Sequence, residues 1–358
     1  MPDLKKKSYD HTLLVTLFLI MIIGLVILYS TSAYNGEVKF HDSFYYLKKQ
    51  LFATGLGGVA MFVMAGTDYH IWKKFAIPAY LGAILLSIAV VLFGDEYNGS
   101  KRWLSLGPFS FQPSEYAKVA VILFLAYLVT RNVEKMSSIW TMLRIMLCVL
   151  PVVGLVGASN LSTAIIILGI AAVLIFVASP RYAQFIWMGV LGCGFMTVFL
   201  ALESYRLERI AIWRNPEKYE KGYQTLQGLY AIGSGGLFGR GLGESIQKLG
   251  FVPEAQNDMI FSIICEELGL VGAGFVLILF LILIWRFFVI ATHAEDLFGA
   301  LIGAGAMAHM MIQVILNISV VTNTIPNTGI TLPFISYGGT SVVFLLLEMG
   351  LVLSVSAG

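Results

Sequence analysis

Charged residues are scarce in this sequence. They make up 12% of the 358 residues, and 58% of the residues are hydrophobic, whereas a soluble domain carries about 25% charged residues. The formal net charge is only +2, so the chain offers no strongly basic surface for nucleic acid. This composition excludes an ordinary soluble domain and predicts one polytopic membrane domain over residues 1–358.

Cysteine and histidine are equally sparse. The three cysteines, Cys148, Cys193 and Cys265, all stand in apolar runs without CxxC spacing, so neither a disulfide nor a zinc site is indicated. The five histidines are scattered. The first apolar run is too long for a cleavable signal peptide and is followed by further spans.

Long apolar runs are abundant. A helix needs about 20 apolar residues to cross a bilayer, and the sequence predicts an all-α, polytopic integral membrane protein with about ten transmembrane helices. The candidate spans are 12–33, 47–66, 75–94, 114–131, 141–158, 161–179, 183–203, 259–284, 297–322 and 334–356. Lysine and arginine favour one set of connecting segments, which predicts cytoplasmic N- and C-termini.

Two segments on the predicted outer side stand out. Residues 95–113 read as a short polar loop, and residues 204–258 as a large extracellular loop between spans seven and eight. The large loop reads as amphipathic helix followed by a glycine-rich run, GSGGLFGRGLGESIQKLG. Loops of this length are usually functional, and we expect this one to fold onto the outer face of the bundle.

Asp258 is the main candidate for chemistry. It stands in FVPEAQNDMIFSIICEELG, where the large loop meets span eight. An ionisable residue at a membrane boundary is costly and is often functional. The alternative is an interfacial acid that favours the N-terminal helix dipole. Glu266 and Glu267 follow inside the span, and the spacing places Asp258 and Glu266 on nearly one helix face; a proton path and a structural polar pair both remain open.

Span four begins QPSEYAK, with Pro113 suited to the first helical turn. Glu115 and Lys118 are three residues apart and therefore share a helix face. They form either a simple intrahelical ion pair or a charged wall of an outward-facing cavity, and charged residues within spans usually face a bundle interior or water.

Other cations on the predicted outer side suit phosphate binding. Arg102 beside Trp103 is either an interfacial anchor or a phosphate ligand, and Arg206 and Arg209 share one predicted helix face. The glycine-rich run is either an anion-binding concavity, with Lys248 nearby, or a flexible turn. TIPNTGITLPFISYGGTS interrupts the approach to the last span, which favours a pocket opening outward, the alternative being a long loop that rests on the bundle.

Three long segments carry a specific resemblance: NGSKRWLSLGPFSFQPSEYAK, YQTLQGLYAIGSGGLFGRGLGESIQKLGFVPEAQNDMIFSIICEELG and PNTGITLPFISYGGTS. In this order they resemble the SEDS family of shape, elongation, division and sporulation proteins (FtsW, RodA, SpoVE) over nearly the whole chain. STSA and DSFYYLKKQL near the start are most similar to the FtsW/SpoVE branch. One departure is Asn160, where many members carry aspartate.

The resemblance implies a peptidoglycan glycosyltransferase that polymerises lipid II on the outer face of the bacterial cytoplasmic membrane. It implies that Asp258 is catalytic, that the charges of the outer cavity fall on Glu115 and Lys118, and that the family's RW motif falls on Arg102 and Trp103. We expect substrate or pyrophosphate to be bound by Arg102, Glu115, Lys118, Arg206, Arg209 and Lys248. We expect the cavity to be lined by Trp103, Gln112, Ser114, Gln247, Glu254, Ser336, Tyr337, Gly338 and Gly339. The implied substrates are lipid II and an undecaprenyl-pyrophosphate-linked glycan, the implied partner is a class B penicillin-binding protein, and Mg²⁺ or Mn²⁺ is a candidate cofactor without legible ligands.

A lipid II flippase is the alternative function. A transporter calls for ionisable residues near the membrane midplane and for paired broken helices, whereas the charges singled out in this sequence cluster toward the predicted outer side. A scaffold that only recruits a synthase ranks last, since it needs no charged cavity.

Overall fold

The computed structural model describes residues 9–97, 100–106, 109–180 and 210–358, together with 185–186, 189–190, 192, 194 and 197. The longer helices within these residues are α1 (His11–Phe40), α2 (Tyr45–Gly66), α3 (Tyr69–Phe93), α4 (Pro113–Arg131), α5 (Ile139–Ser159), α6 (Leu161–Ala178), α7 (Tyr223–Gly235), α8 (Ile260–His293), α9 (Leu297–Val321) and α10 (Gly339–Ser356). Three single 3₁₀ turns lie at Val133–Lys135, Pro216–Lys218 and Glu220–Gly222.

The all-α membrane architecture expected from the sequence is confirmed. Eight helices among the described residues are long and apolar enough to cross a membrane. The 22-residue α2 is also long enough by its rise per residue, and the predicted seventh span, 183–203, lies mostly outside the described residues. The count of ten spans therefore stays a prediction.

Short polar residues determine where several helices begin. Asp10 accepts a hydrogen bond from the Leu13 amide at 2.8 Å, and Asp296 accepts one from the Gly299 amide at 2.8 Å. Asn160 caps α6 by accepting from the Thr163 amide at 3.2 Å. Asparagine and aspartate are about equally good N-caps, so the asparagine at this position preserves the start of the helix.

Residues 95–97, 100–106 and 109–111 form a small antiparallel sheet, which corrects the expectation of a short polar loop over 95–113. Its strands β1 (Asp95–Tyr97), β2 (Ser100–Leu106) and β3 (Phe109–Phe111) pair in the order β1-β2-β3. The register sets Asp95 opposite Trp103 and Leu104 opposite Phe111. The sheet is fastened to the start of α10, where the Thr340 hydroxyl donates to the Ser110 carbonyl at 2.9 Å. Strand β2 thereby fixes the position of Arg102 relative to the helices.

Helix α8 is interrupted at Gly269, whose φ of 67° and ψ of −170° are not helical. The glycine-rich run of the large loop fills the break. Four backbone hydrogen bonds join the two segments: Arg240 N to Glu266 O, Gly241 N to Glu267 O, Leu270 N to Gly236 O and Val271 N to Leu237 O, at 2.9–3.1 Å. Such pairing is what non-helical backbone at membrane depth requires. The run is therefore held against α8, and its amides at Arg240 and Gly241 are used within the protein.

Candidate active site

Asp258 lies at the end of the large loop, just before α8 begins at Ile260. The expectation that Asp258 and Glu266 share a helix face is therefore wrong, because Asp258 lies outside the helix. Its carbonyl accepts a hydrogen bond from Asn317 Nδ2 at 2.9 Å, and the same nitrogen donates to the Ile330 carbonyl at 2.7 Å. Asn317 thus fixes the backbone of Asp258 against the segment that precedes α10.

The carboxylate of Asp258 is half-buried and unusual in its acidity. Withdrawal from water raises the pKa of Asp258 from its ordinary 3.8 to about 6, and the negative charge of Glu254 adds to the rise. Three interactions lower this pKa: a hydrogen bond from its own backbone N–H, a hydrogen bond from Gln224 Nε2 at 3.3 Å, and the positive charge of Arg102. A carboxylate with this pKa is mostly ionised at pH 7 and is a stronger base than an ordinary aspartate.

Arg102 and Asp258 converge on Gly329. A Cβ atom built at Gly329 would lie 3.5 Å from Arg102 Nη1 and 4.0 Å from Asp258 Oδ2. Gly329 has a φ of 71°, in the left-handed region that glycine adopts without strain. Arg102 Nε donates to the Ser159 carbonyl at 3.2 Å, which aims the guanidinium from the sheet toward Asp258.

Glu115 and Lys118 form a buried ion pair in the first two turns of α4. Lys118 Nζ lies 3.0 Å from Glu115 Oε2, and the two residues are 1% and 7% exposed, respectively. Lys118 Nζ also donates to Gln313 Oε1 at 2.9 Å. Gln313 Nε2 in turn donates to the Thr331 carbonyl at 3.1 Å, which connects this ion pair to the segment that carries Gly329.

The network continues toward the middle of the bundle through two residues that sequence reasoning missed. His309 lies 2.9 Å from Gln313 Oε1 through Nε2 and 2.7 Å from Glu348 Oε2 through Nδ1. His309, Gln313 and Asn317 recur at every fourth position of α9, so they line one face. A polar stripe inside an apolar span is a signal in the sequence from which these α9 residues could have been found.

Lys248, predicted to bind pyrophosphate, is engaged elsewhere. Its Nζ lies 2.7 Å from Glu267 Oε1 and donates to the Ser30 hydroxyl at 3.0 Å and the Gly243 carbonyl at 2.6 Å. Ser30 Oγ also donates to both oxygens of Glu267, at 2.7 and 2.8 Å. This buried cluster joins α1, α8 and the large loop. The geometry gives Lys248 a structural partner and does not bring it to Asp258.

Glu266 also holds the loop. Its carboxylate accepts hydrogen bonds from the Ser245 hydroxyl at 2.5 Å and from the amides of Ile246 and Gln247 at 3.2 and 3.4 Å. Of the two readings that the sequence left open for Glu266 and Glu267, this geometry favours structural anchoring. Arg206 and Arg209 lie outside the described residues.

Some of the expected cavity-lining residues lie beside Arg102. Ser114 shares with Arg102 a small cavity of about 10 Å³, to which Ser87 and Asn160 also contribute. This is enough space for one water molecule. Gln112 donates from Nε2 to Ser114 Oγ at 3.2 Å. Trp103 is half-buried on the strand that carries Arg102.

A second group fastens the segment before α10 next to Asp258. The Tyr337 amide donates to the Gln256 carbonyl at 2.9 Å, and the Gly338 amide to Gln50 Oε1 at 3.2 Å. Ser336 Oγ is used within its own turn, where it accepts from the Leu332 amide at 2.8 Å. Gly339 begins α10.

The last two expected lining residues lie apart from each other. Glu254 lies close enough to Asp258 for its negative charge to raise the pKa of Asp258. Gln247 faces a separate cavity beside Arg240.

Within the described residues, no three His, Cys, Asp or Glu side chains lie together in a way that would hold a metal ion. The expected Mg²⁺ or Mn²⁺ therefore has no ligand set here to which we can assign it.

Comparison with known proteins agrees with the resemblance found in the sequence. The FtsW/RodA/SpoVE model, described as "Cell cycle protein", matches residues 10–358. Stage V sporulation protein E of Bacillus subtilis (strain 168) is 40% identical, with 98% of each chain covered. The probable peptidoglycan glycosyltransferase FtsW of Geobacter sp. (strain M18) is 35% identical over 98% of this chain and 97% of its own.

A solved structure has the same fold. It comes from work on the structural coordination of polymerization and crosslinking by a peptidoglycan synthase complex. It aligns with this chain with a TM-score of 0.83 at 30% identity, and 98% of each chain is covered. The match extends over the helices, the large loop and the segment before α10 alike. The chain therefore belongs to the FtsW/RodA/SpoVE (SEDS) family of membrane proteins.

Proposed function

We propose that this chain is a peptidoglycan glycosyltransferase that polymerises lipid II into glycan strands. The observation that carries the proposal is the raised pKa of Asp258, about 6, at a boundary where Arg102 converges on it. A general base is most effective when its pKa lies near the working pH. Relatives that match over nearly the full chain are named as enzymes of this class, which supports the assignment.

The reaction follows from the placement of the two charges. Asp258 accepts the proton of the 4-hydroxyl of the acceptor sugar on lipid II as that oxygen attacks the anomeric carbon of the donor. The bond from this carbon to pyrophosphate breaks with inversion from α to β, and undecaprenyl pyrophosphate leaves with the electron pair. The Arg102 guanidinium offers paired N–H donors to the departing pyrophosphate, whose charge grows in the transition state.

Lys118 and Glu115 act indirectly, from a buried position on α4. Lys118 is enclosed and already bonded to Glu115 and Gln313, so it acts by positioning Gln313 and the segment that carries Gly329. Since Lys248 is paired with Glu267, Arg102 is the principal contact for the leaving group among the described residues.

The orientation and partner follow from the same proposal. The Asp258 end of the bundle faces the outside of the bacterial cytoplasmic membrane, where lipid-linked substrates are polymerised, and both termini lie in the cytoplasm. The partner is a class B penicillin-binding protein that crosslinks the new strand, in keeping with the solved synthase complex of the same fold.

The test is polymerisation of lipid II by purified protein in liposomes, with and without its cognate transpeptidase. Asp258→Ala and Asp258→Asn should abolish polymer at unchanged melting temperature, whereas Asp42→Asn, an exposed aspartate paired with Lys48, should retain it. Normal polymerisation by Asp258→Asn would refute the assignment of the base.

Lipid transport is a second candidate because one observation favours it. His309 is the central residue of α9 (Leu297–Val321), and it is buried against Glu348. Ionisable residues near the midplane are typical of transport pathways. Scrambling of labelled lipid II across protein-containing liposomes, without polymer formation, would support transport; absence of scrambling alongside polymerisation would eliminate it.

A further inference from the structure

The large loop contains a cavity of about 480 Å³ that the proposed transfer reaction does not use. It is lined by one face of α7, the glycine-rich run and the upper part of α8. The lining residues are Leu229, Tyr230, Gly233, Ser234, Arg240, Ile246, Gln247 and Glu266. The volume lies in the ordinary range of small-molecule and lipid-headgroup sites.

The cavity lies on a different face of α7 from Asp258. The face of α7 that meets α8 carries Gln224, which contacts Asp258, and Gly228, where a Cβ atom would meet Met259 at 2.3 Å. Gly233 and Tyr230 point elsewhere: a Cβ at Gly233 meets no atom within 4 Å, and Tyr230 is exposed. The cavity is therefore separate from the site of transfer.

Arg240 supplies an available cationic group to this cavity. Its backbone is fixed by donation to the Glu266 carbonyl at 2.9 Å, while its side-chain Nε stays 3.8 Å from Glu266 Oε1. Glu266 is already satisfied by Ser245 and two loop amides. Among the described residues, the two terminal guanidinium nitrogens of Arg240 donate to no protein acceptor, so they are free to bind a phosphate in a forked geometry.

Gln247 supplies an acceptor that lacks a donor. Its Oε1 is shielded from solvent and meets no hydrogen-bond donor among the described residues. A buried polar atom without a partner costs about 1–3 kcal/mol, so it calls for a ligand group or a water. Because Gln247 lines the cavity, a rotation of its side-chain amide brings Oε1 within reach of a hydroxyl group on a ligand held by Arg240.

The glycine-rich run that carries Arg240 also presents exposed apolar side chains. Leu237 and Phe238, in the run that fills the break in α8, are 61% and 80% exposed, and Leu242 and Ile246 are exposed beside them. These side chains lie alongside a transmembrane helix, where the surrounding medium is lipid. An occupant that reaches Arg240 from this side therefore has acyl chains as well as an anionic head.

We propose that this cavity binds the headgroup of an anionic glycerophospholipid that carries free hydroxyl groups, with phosphatidylglycerol as the probe. The phosphate lies on Arg240, a headgroup hydroxyl donates to Gln247 Oε1, and the acyl chains cover Leu237, Phe238 and Ile246. The lipid bridges α7 and the glycine-rich run and thereby braces the loop. The proposal does not depend on the proposed transferase activity.

The test is native mass spectrometry of delipidated protein in detergent, titrated with phosphatidylglycerol, phosphatidylcholine or inorganic phosphate. Phosphatidylglycerol should bind at least about tenfold more tightly than phosphatidylcholine, and Arg240→Gln should weaken it about tenfold, as expected for loss of one charge-assisted pair. Arg214→Gln removes an exposed arginine from the same loop and should change nothing. Equal binding by Arg240→Gln and wild type, or equal loss in Arg214→Gln, would overturn the proposal. Binding of inorganic phosphate as tight as that of phosphatidylglycerol would assign the site to free phosphate instead.

A second variant keeps the test independent of arginine chemistry. Gly233→Leu projects a side chain into the open cavity and replaces a helix-disfavouring glycine, so it should fold and lose phosphatidylglycerol binding. Gly55→Leu, at an exposed glycine of α2 that likewise has no atom within 4 Å of its Cβ position, is the matched control and should bind normally. Retention of binding by Gly233→Leu would contradict the proposed location.

Discussion

Gln224 donates a hydrogen bond from Nε2 to Oδ1 of Asp258 at 3.3 Å, and it does so from a helix of the large loop. This contact ties the position of α7 to the proton affinity of the candidate base. Any displacement of α7 changes the acidity of Asp258 as well as access to it.

Gln224→Leu should move the acidic limb of the rate–pH profile upward. The hydrogen bond stabilises the ionised form and lowers the pKa of Asp258, so its removal raises a pKa that already stands at about 6. A base is active when deprotonated; the limb should therefore shift to higher pH by about half a unit, which corresponds to roughly 0.7 kcal/mol. Polymerisation rates from pH 5 to 8 measure this shift. Gln227→Leu, on the same helix and without a bond to Asp258, should leave the limb in place.

Glu254→Gln should move the same limb in the opposite direction. The negative charge of Glu254 raises the pKa of Asp258, so its neutralisation lowers that pKa and extends activity to lower pH. The matched control is Glu244→Gln, an exposed acid of the same loop. Parallel shifts in Gln224→Leu and Glu254→Gln would show that the titrating base is not Asp258.

Lys118→Met should destabilise the protein strongly. It leaves Glu115 buried without its cation and removes the hydrogen bond from Lys118 to Gln313, and breaking one side of a buried pair costs about 3–5 kcal/mol. Glu115→Gln/Lys118→Met should recover part of that loss, because no lone buried charge remains. Thermal unfolding in detergent measures both. Lys48→Met removes one partner of an exposed pair with Asp42 and should have little effect.

Gly269→Ala should prevent the loop from docking on α8. A Cβ atom at Gly269 would lie 2.3 Å from Gly239 N and 2.5 Å from Leu237 O, and a φ of 67° with ψ of −170° is accessible essentially only to glycine. We expect a loss of about 3 kcal/mol or more, and faster proteolysis of the loop. Gly274→Ala, in the same helix with no atom within 4 Å of its Cβ position, should be neutral or slightly stabilising. Equal resistance of both variants to protease would contradict this account of the break.

The sequence predicted the elements whose signal is local. Predicted spans 47–66 and 297–322 coincide closely with α2 and α9, because each is a predominantly apolar run bounded by polar residues. Pro113 in the first turn of α4 and the pairing of Glu115 with Lys118 followed from short-range spacing.

The rest depended on contacts between distant segments. The small sheet was missed because its strands are short and show no clear apolar alternation, and the position of Arg102 follows from that sheet. Lys248 was assigned to pyrophosphate because its partner Glu267 comes from another element, and no pattern indicated their 2.7 Å contact. The break at Gly269 was equally invisible, since the apolar run continues through it.

The break in α8 also determines how the large loop is able to move. Residues 236–241 complete the backbone hydrogen bonding of α8. Moving the loop away by itself would therefore leave peptide groups without hydrogen-bond partners in hydrocarbon, each at a cost of several kcal/mol. A less costly motion tilts α7 together with residues 260–268 about a pivot at Gly269. Access to the Asp258 site is thus coupled to a pivot within a transmembrane helix, and a motion of α7 that widens this access also changes the shape of that helix.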